Sequence, residues 1–174
     1  TGETVEGDRP SGDINIQAPG LTVTAWELRA LHDIYVESSV PMTLVSVVGG
    51  LTGTERADSV VLKTDGALTL RGATIAADTV KLEAQSIGAN SKSQVLAGRL
   101  EVKTTGDVFL ATAIDTLVAE STAGNITLAD RGDLVLERVI AQDGAIRVSS
   151  GGNLTALDVE VWKDAAGNDI TLSS

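Results

Sequence analysis

The chain has 174 residues, which is enough to bury a core without disulfides or a metal. Hydrophobic residues make up 43% of it but aromatic residues only 2%, so the apolar mass is almost entirely Val, Leu, Ile and Ala. With 13 basic against 24 acidic residues, the net charge of −11 disfavours nucleic acids and anionic membranes as partners. The absence of Cys excludes thiol nucleophiles, Cys-based metal sites and disulfide frameworks, and the single His excludes most His-based catalysis.

The chain divides into a short polar segment and a long repeat domain. Residues 1–11 lack the basic and apolar regions of a signal peptide and are predicted to be a flexible lead-in. No stretch approaches the ~18 consecutive apolar residues of a membrane span, so we expect no membrane insertion. Residues 12–174 contain no low-complexity linker and are predicted to form one domain.

Short strings of the form Gly-x-apolar-x-apolar recur along this domain. Glycine suits a corner of the chain, and the alternation that follows has the period of two that is typical of a β-strand. Each string therefore predicts a turn followed by a strand. The strings are GDINI from Gly12, GALTL from Gly66, GDVFL from Gly106, GNITL from Gly124, GDLVL from Gly132, GAIRV from Gly144 and GNLTA from Gly152.

Equivalent strands return at a constant interval of about 20 residues, as when Ile14 and Ile16 recur as Ile34 and Val36. The other sets are Val60 and Leu62 with Val80 and Leu82 and then Leu100 and Val102, Leu68 and Leu70 with Val108 and Leu110 after two steps, Ile126 and Leu128 with Ile146 and Val148, and Leu134 and Leu136 with Leu154 and Ala156. The phase slips elsewhere. Gly106 and Gly124 are closer together than this interval, and residues 41–58 fit no clean coil, which indicates insertions or deletions at corners.

This regular return predicts an all-β fold, a single-stranded parallel β-helix (β-solenoid) with about 20 residues per coil. Stacked coils place like residues above one another, and Val, Ile and Leu stack well in such ladders. Large aromatic side chains do not fit repeatedly in a narrow interior, which explains the aromatic-poor composition. About eight coils at ~4.8 Å each predict a rod about 40 Å long.

Two alternative structures are weaker. Residues 21–31 (LTVTAWELRAL) approach helical spacing with Trp26, Leu28 and Leu31, which leaves a short capping helix as an alternative to a pair of strands. An antiparallel sandwich also has short alternating strands, but its hairpin loops vary in length and do not impose a fixed return.

Stacked carboxylates are the candidates for a cation site. Asp13 and Asp33 are separated by one regular coil, as are Asp58 and Asp78. Carboxylates on neighbouring coils repel each other unless they share a cation or a proton, so either pair is a candidate Ca²⁺ site. Aspartate at the entry to a strand is also an ordinary turn former, and we favour that interpretation. No catalytic residue and no cofactor is predicted.

The remaining polar and aromatic signals have structural interpretations. His32 adjoins Asp33, but neighbouring strand residues point to opposite faces, so we interpret His32 as an exposed corner residue. The glycosylation sequons at Asn125 and Asn153 lie at strand entries, where Asn is ordinary turn chemistry. Trp26 and Trp162 are candidates for stacking on sugars if exposed, although covering an end of the core is the favoured role.

Two segments, residues 59–86 (SVVLKTDGALTLRGATIAADTVKLEAQS) and 124–161 (GNITLADRGDLVLERVIAQDGAIRVSSGGNLTALDVEV), resemble the repeat regions of filamentous-haemagglutinin-like large exoproteins of bacteria. The similarity is a pattern of Gly, alternating aliphatic residues and polar turns. It implies a right-handed parallel β-helix that is exported and used as an adhesin or surface filament. The secretion domain of those proteins, with its NPNL-type and NxxG-type motifs, is not present, which leaves the export route open.

We therefore expect a non-enzymatic, extracellular structural or adhesive β-solenoid, a stalk or filament unit that stacks end to end with other copies or with neighbouring parts of a longer chain. The alternative is a carbohydrate-binding or polysaccharide-cleaving β-helix, assisted by Ca²⁺, with surface glycans as partners. The two differ in whether the carboxylates converge in a groove or spread over corners.

Overall fold

The computed structural model describes residues 12–20, 23–25, 27–30, 32–45, 47–49 and 56–174. The predicted lead-in, residues 1–11, lies outside them. The described residues are all-β, with no helix, and their parallel strands stack as a β-solenoid of about seven turns, so the predicted fold class is confirmed. Seven steps of ~4.8 Å give a rod about 34 Å long. The right-handed sense of winding stays a prediction.

Eighteen strands follow one another in the described part of the chain. The first nine are β1 (Ile14–Ala18), β2 (Val23–Ala25), β3 (Leu28–Arg29), β4 (Asp33–Ser38), β5 (Met42–Leu44), β6 (Val47–Gly49), β7 (Ala57–Thr64), β8 (Ala67–Leu70) and β9 (Thr74–Ala84). The others are β10 (Ser86–Ala89), β11 (Gln94–Thr104), β12 (Val108–Ser121), β13 (Ile126–Asp130), β14 (Leu134–Ala141), β15 (Ile146–Ser149), β16 (Leu154–Ala156), β17 (Val159–Val161) and β18 (Ile170–Ser173).

The strands form three parallel ladders, which we call the first, second and third faces. The first face runs β1–β4–β7–β9–β11–β12–β14 and ends in β16 and β17. The second runs β2–β5–β8–β10–β12–β13–β15–β18. The third runs β3–β6–β9–β11–β12. Strands β9, β11 and β12 pass round a corner without breaking and so belong to more than one face.

The registers confirm the predicted strand equivalences. Along the first face, each residue in the ladder that begins at Ile14 pairs with its equivalent in the next turn. The longest step is from Ile34 to Val60, in the coil that contains residues 41–58, and part of this extra chain lies outside the described residues. On the second face, Val108 pairs with Ile126, so this step is shortened as the glycine spacing predicted. The members of the first ladder are Ile14, Ile34, Val60, Val80, Leu100, Leu117, Leu136 and Ala156.

The interior is a set of aliphatic columns. In the column that begins at Ile16, each inward side chain stacks on its equivalent in the next turn, and the same alternation places every second residue of a strand outside. The column contains Ile16, Val36, Leu62, Leu82, Val102, Ala119, Val139 and Val159. Every buried hydrophobic residue among those described is Ala, Val, Leu, Ile or Met.

Residues 21–31 form strands rather than a helix where the structure describes them. Strand β2 pairs with β5 and strand β3 pairs with β6, both in parallel. Stacking on the neighbouring turn therefore prevails over the helical spacing of Leu28. Trp26 and Leu31 lie outside the described residues.

Candidate functional site

The four candidate Ca²⁺ ligands lie at one corner, where the chain enters the first face. Asp13 precedes the pair Ile14 and Ile34, so it lies beside Asp33. Its Oδ1 accepts a hydrogen bond from the Asp33 backbone N–H at 3.3 Å, which is the turn-forming role. Ca²⁺ binding at this corner stays the less favoured of the two interpretations.

Asp58 and Asp78 are also neighbours, because they lie on adjacent turns. The flanking pairs in β7 and β9 set them side by side, and both side chains are exposed. Asp58 already has a partner, because its Oδ2 lies 2.9 Å from His32 Nδ1. Among the residues that the structure describes, no group of three or more His, Cys, Asp or Glu could hold a metal ion.

His32 is exposed, as expected, but the sequence did not reveal its partner. Asp58 lies one turn away and further along the chain than a regular coil would place it, because the coil between them is lengthened. The hydrogen bond to Asp58 and the charge of this carboxylate raise the pKa of His32, and the carboxylates of Asp13 and Asp33 act in the same direction. The lone histidine is thus an ion-pairing residue of the wall.

Side-chain oxygens at other corners bind the backbone of the next turn. Asp107 Oδ1 accepts from the backbone N–H of Asn125 at 2.8 Å and from its Nδ2 at 3.1 Å, and Asn125 Oδ1 accepts from the Ala145 N–H at 2.9 Å. Asp133 Oδ1 likewise accepts from the Asn153 N–H at 2.7 Å. Both sequon asparagines therefore lie at contacts between neighbouring turns, in agreement with the predicted turn role.

The outer side of the first face carries a column of alternating charge. One neighbouring pair of this column forms an ion pair, in which Lys63 Nζ lies 2.8 Å from Glu37 Oε1. The hydrogen bond with Lys63 lowers the pKa of Glu37, and the same contact raises the pKa of Lys63. Opposite charges directly across strands stabilise a sheet. The column consists of Glu37, Lys63, Glu83, Lys103 and Glu120.

A β-bulge in β14 makes possible an ion pair that spans two turns of the outer surface. The register shifts between Leu117 and Val118, which leaves Glu137 as an extra outward residue. Glu137 then binds Arg99, two turns away, through two hydrogen bonds of 2.6 and 3.2 Å, while Arg99 Nε donates to Glu101 at 2.9 Å. The hydrogen bond from Arg99 lowers the pKa of Glu137. Sequence periodicity contains no signal for this contact.

The main depressions of the described surface are shallow and lie between outward side chains. One of about 420 Å³ covers the corner after the first face, and one of about 220 Å³ lies above Val118, whose side chain is shorter than those of Glu101 and Arg138 in the same column. Where the structure describes them, the acidic side chains are distributed over corners and columns. Many of them bind a Lys or Arg side chain or a backbone N–H. These carboxylates are spread over corners and columns rather than gathered in one groove.

Exposed apolar side chains are concentrated on the last turn. Leu157, Trp162, Ile170 and Leu172 are 68%, 56%, 45% and 37% exposed, and all belong to the turn of β16–β18. Phe109, at 55%, is the other large exposed hydrophobic residue among those described and lies on the second face. Trp162 therefore does not bury itself as a cover for the core, and its Nε1 donates to Glu160 at 2.7 Å.

No protein-family model matches this chain, and searches of curated proteins and of solved structures find no similar protein. The resemblance to filamentous-haemagglutinin-like repeats therefore stays a prediction. None of the residues described here forms a helix with the length and hydrophobicity needed to cross a membrane.

Proposed function

We propose that this chain is a non-enzymatic structural module, an extracellular rod that acts as a stalk or filament unit and extends by stacking end to end. The observation that carries the proposal is the exposed last turn. Ile170 and Leu172 are 45% and 37% exposed, whereas their equivalents one turn earlier, Ile146 and Val148, are 0% and 2% exposed. Exposed core residues beside an unpaired strand edge favour the addition of another turn.

The outer wall supports the same function by discouraging sideways contacts. Its charged side chains pair with one another across turns, as Glu37 does with Lys63 and Arg99 with Glu137. A partner docking on this face must desolvate these ions without offering better pairs. The overall charge of −11 adds repulsion between parallel rods, so the ends are the favoured contacts.

The extracellular location and the adhesive role rest on the resemblance to bacterial exoprotein repeats. In that setting a rod with stacked ends acts as a stalk or builds a fibre.

Small-angle X-ray scattering and sedimentation velocity over a wide range of protein concentration test this proposal. We expect the maximum dimension to grow in steps of about one rod length, ~34 Å from strand spacing, at constant cross-section. The variant Ile170→Asp/Leu172→Asp should stay monomeric. Thr43→Asp/Thr69→Asp adds the same charge to the outer side of the second face, away from the last turn, and should still associate. A wild-type protein that stays monomeric at the highest concentration would overturn the proposal.

The second candidate is carbohydrate binding, and the exposed rings of Phe109 and Trp162 are the observation that favours it. A glycan array and a polysaccharide-cleavage assay, each run with and without Ca²⁺, decide this question. Binding that is lost in Phe109→Ala or Trp162→Ala would support it. Silence in both assays would eliminate it.

A further inference from the structure

The registers point to one specific junction between copies. We infer that the turn formed by β16–β18 docks in parallel on the turn formed by β1–β3 of a second copy, with β18 beside β2 and β17 beside β1. The inference rests on the proposed end-to-end stacking and adds the partner surface and its register. Within the described part of the chain, each of these six strands pairs with a neighbouring turn on one side only.

Two interior columns continue across this junction, one on the second face and one on the first. The third face has no strand in the described last turn, so β3 gains no partner strand there. On the second face, one column rises from Val23 to Ile170 and is hydrophobic at every turn. In the docked pair, Ile170 of one copy lies beneath Val23 of the next. On the first face, Val159 lies beneath Ile16, which is itself only half-buried. The members of the first of these columns are Val23, Met42, Leu68, Ile87, Val108, Ile126, Ile146 and Ile170.

On the first face, the outward residues of the first turn differ in charge from those of the later turns. The outward residues of β1 are Asn15 and Gln17, both exposed and uncharged, whereas every later turn of this face carries at least one charged residue at the equivalent positions. The last turn presents Asp158 and Glu160 there. In the inferred register, Asn15 lies above Asp158 and Gln17 above Glu160, so amide N–H donors meet carboxylates and no like charges face each other.

The loop of the last turn leaves the junction open. Residues 163–168 make the step from Ile146 to Ile170 longer than the regular one. This loop is bound to the turn before it, because Lys163 Nζ and Asn168 Nδ2 lie 2.6 and 3.1 Å from the Asp143 carboxylate. The extra residues are therefore held toward the body of the rod rather than across the edge of β18.

A disulfide tests the register directly, because the chain has no cysteine. Thr171 and Thr24 occupy the same outward column of the second face, at its two ends. In the docked pair they are on adjacent strands, about 4.8 Å apart, within the ~4.4–6.8 Å between Cα atoms that a disulfide spans. Oxidised Thr24→Cys/Thr171→Cys should give a ladder of covalent multimers on a non-reducing gel.

The matched control is Thr24→Cys/Thr127→Cys. Thr127 belongs to the same outward column but lies on a middle turn of the rod, two turns before Thr171. This variant should give no ladder, because the inferred junction keeps its two sulfurs far apart.

Charge substitution gives a second, independent test. Asn15→Asp/Gln17→Glu places carboxylates above Asp158 and Glu160 and should weaken association about fivefold to tenfold. Asn15→Lys/Gln17→Lys should strengthen it by a similar factor, and the gain should vanish at about 1 M salt, where the Debye length is ~3 Å. Circular dichroism controls for folding, since both positions are exposed.

The outcomes separate this inference from the proposed function. Association in solution without a specific ladder, or without a response to charge at residues 15 and 17, would overturn the register and leave end-to-end stacking standing. An absence of any association would overturn both.

Discussion

Asp130 has a different role from the exposed aspartates because the coil buries it at a corner. Its Oδ2 accepts from Thr112 Oγ1 at 2.6 Å and from the Ile114 N–H at 3.0 Å, and its Oδ1 accepts from the Gly132 N–H at 2.8 Å. Buried backbone N–H groups need such partners where a ladder is interrupted. One residue type thus serves as an internal corner support or as an external ion-pair partner, according to its place in the coil.

His32 provides a pH-dependent signal in a chain with one histidine. Because Asp58 raises its pKa in the folded state above the ordinary 6.5, the pair stabilises the fold fully below about pH 6.5. That stabilisation is lost as the pH rises through the folded-state pKa. An NMR titration of the imidazole should give a pKa above 6.5 in the native protein and a return toward 6.5 in Asp58→Asn. The same value in both proteins would contradict the pairing.

Glycines stack closely at the corner before the second face, so a side chain added there overlaps the backbone of the neighbouring turn. A Cβ on Gly144 would overlap the Gly124 backbone, whereas a Cβ on Gly88 meets nothing within 4 Å. We expect Gly144→Ala to lower the free energy of unfolding by about 1–3 kcal/mol, as overpacking does. Gly88→Ala should change it by less than about 0.5 kcal/mol. Urea denaturation of both variants provides the comparison, and equal effects would contradict close stacking.

At the scale of the strand, the bulge of β14 interrupts strand pairing but also redirects one side chain. It interrupts the ladder beside Leu117, and it turns Glu137 outward so that one carboxylate reaches Arg99 across an intervening turn. Bulges commonly redirect a side chain in this way. The wall is therefore tied over three turns at this place rather than two.

The alternation within β9 predicts unequal costs for neighbouring substitutions. Leu82 is fully buried in the middle of its column, while Lys81 faces outward and pairs with Glu83. Leu82→Ala leaves a cavity that both adjoining turns share, so we expect a loss of about 2–5 kcal/mol in the free energy of unfolding. Lys81→Ala should cost less than about 1 kcal/mol. Similar losses in urea denaturation would show that the inward and outward assignments are wrong.

For the whole molecule, strand pairing joins each described turn only to the turns beside it, so stability is approximately a sum along one dimension. The middle turns have two neighbours and contain residues with no exposure, such as Val80 and Leu100. Among the described residues the last turn has one neighbouring turn, and every residue of β18 is exposed. Its opening therefore requires fewer contacts to be broken.

Hydrogen exchange measured by mass spectrometry should follow this gradient. At low protein concentration the amides of β16–β18 should exchange faster than those of β9–β13. As the concentration rises, stacking should slow exchange in β16–β18 and leave the middle turns unchanged. Uniform exchange along the rod, or a concentration effect confined to the middle turns, would contradict the one-dimensional picture.

The candidate site could be predicted from the sequence only where the turn length is regular. Asp13 and Asp33 are neighbours, as predicted, because the step between them has the regular length. The contact of His32 with Asp58 was missed because it spans the lengthened coil. A step of unusual length changes which outward side chains meet, although the inward columns still align.

By itself, the sequence determined the parallel β-solenoid, because a regular aliphatic period buries its apolar side chains only if successive coils stack in register. It also determined that the core consists almost entirely of Val, Leu, Ile and Ala, because the chain contains few aromatic residues. Only the tertiary structure decided which charges pair, as with Arg99 and Glu137, because these contacts depend on a bulge and on turn lengths that periodicity averages away. The same holds for the last turn: Ile170 is 45% exposed and its equivalent Ile146 is 0% exposed, because no described strand pairs with the outer edge of β18.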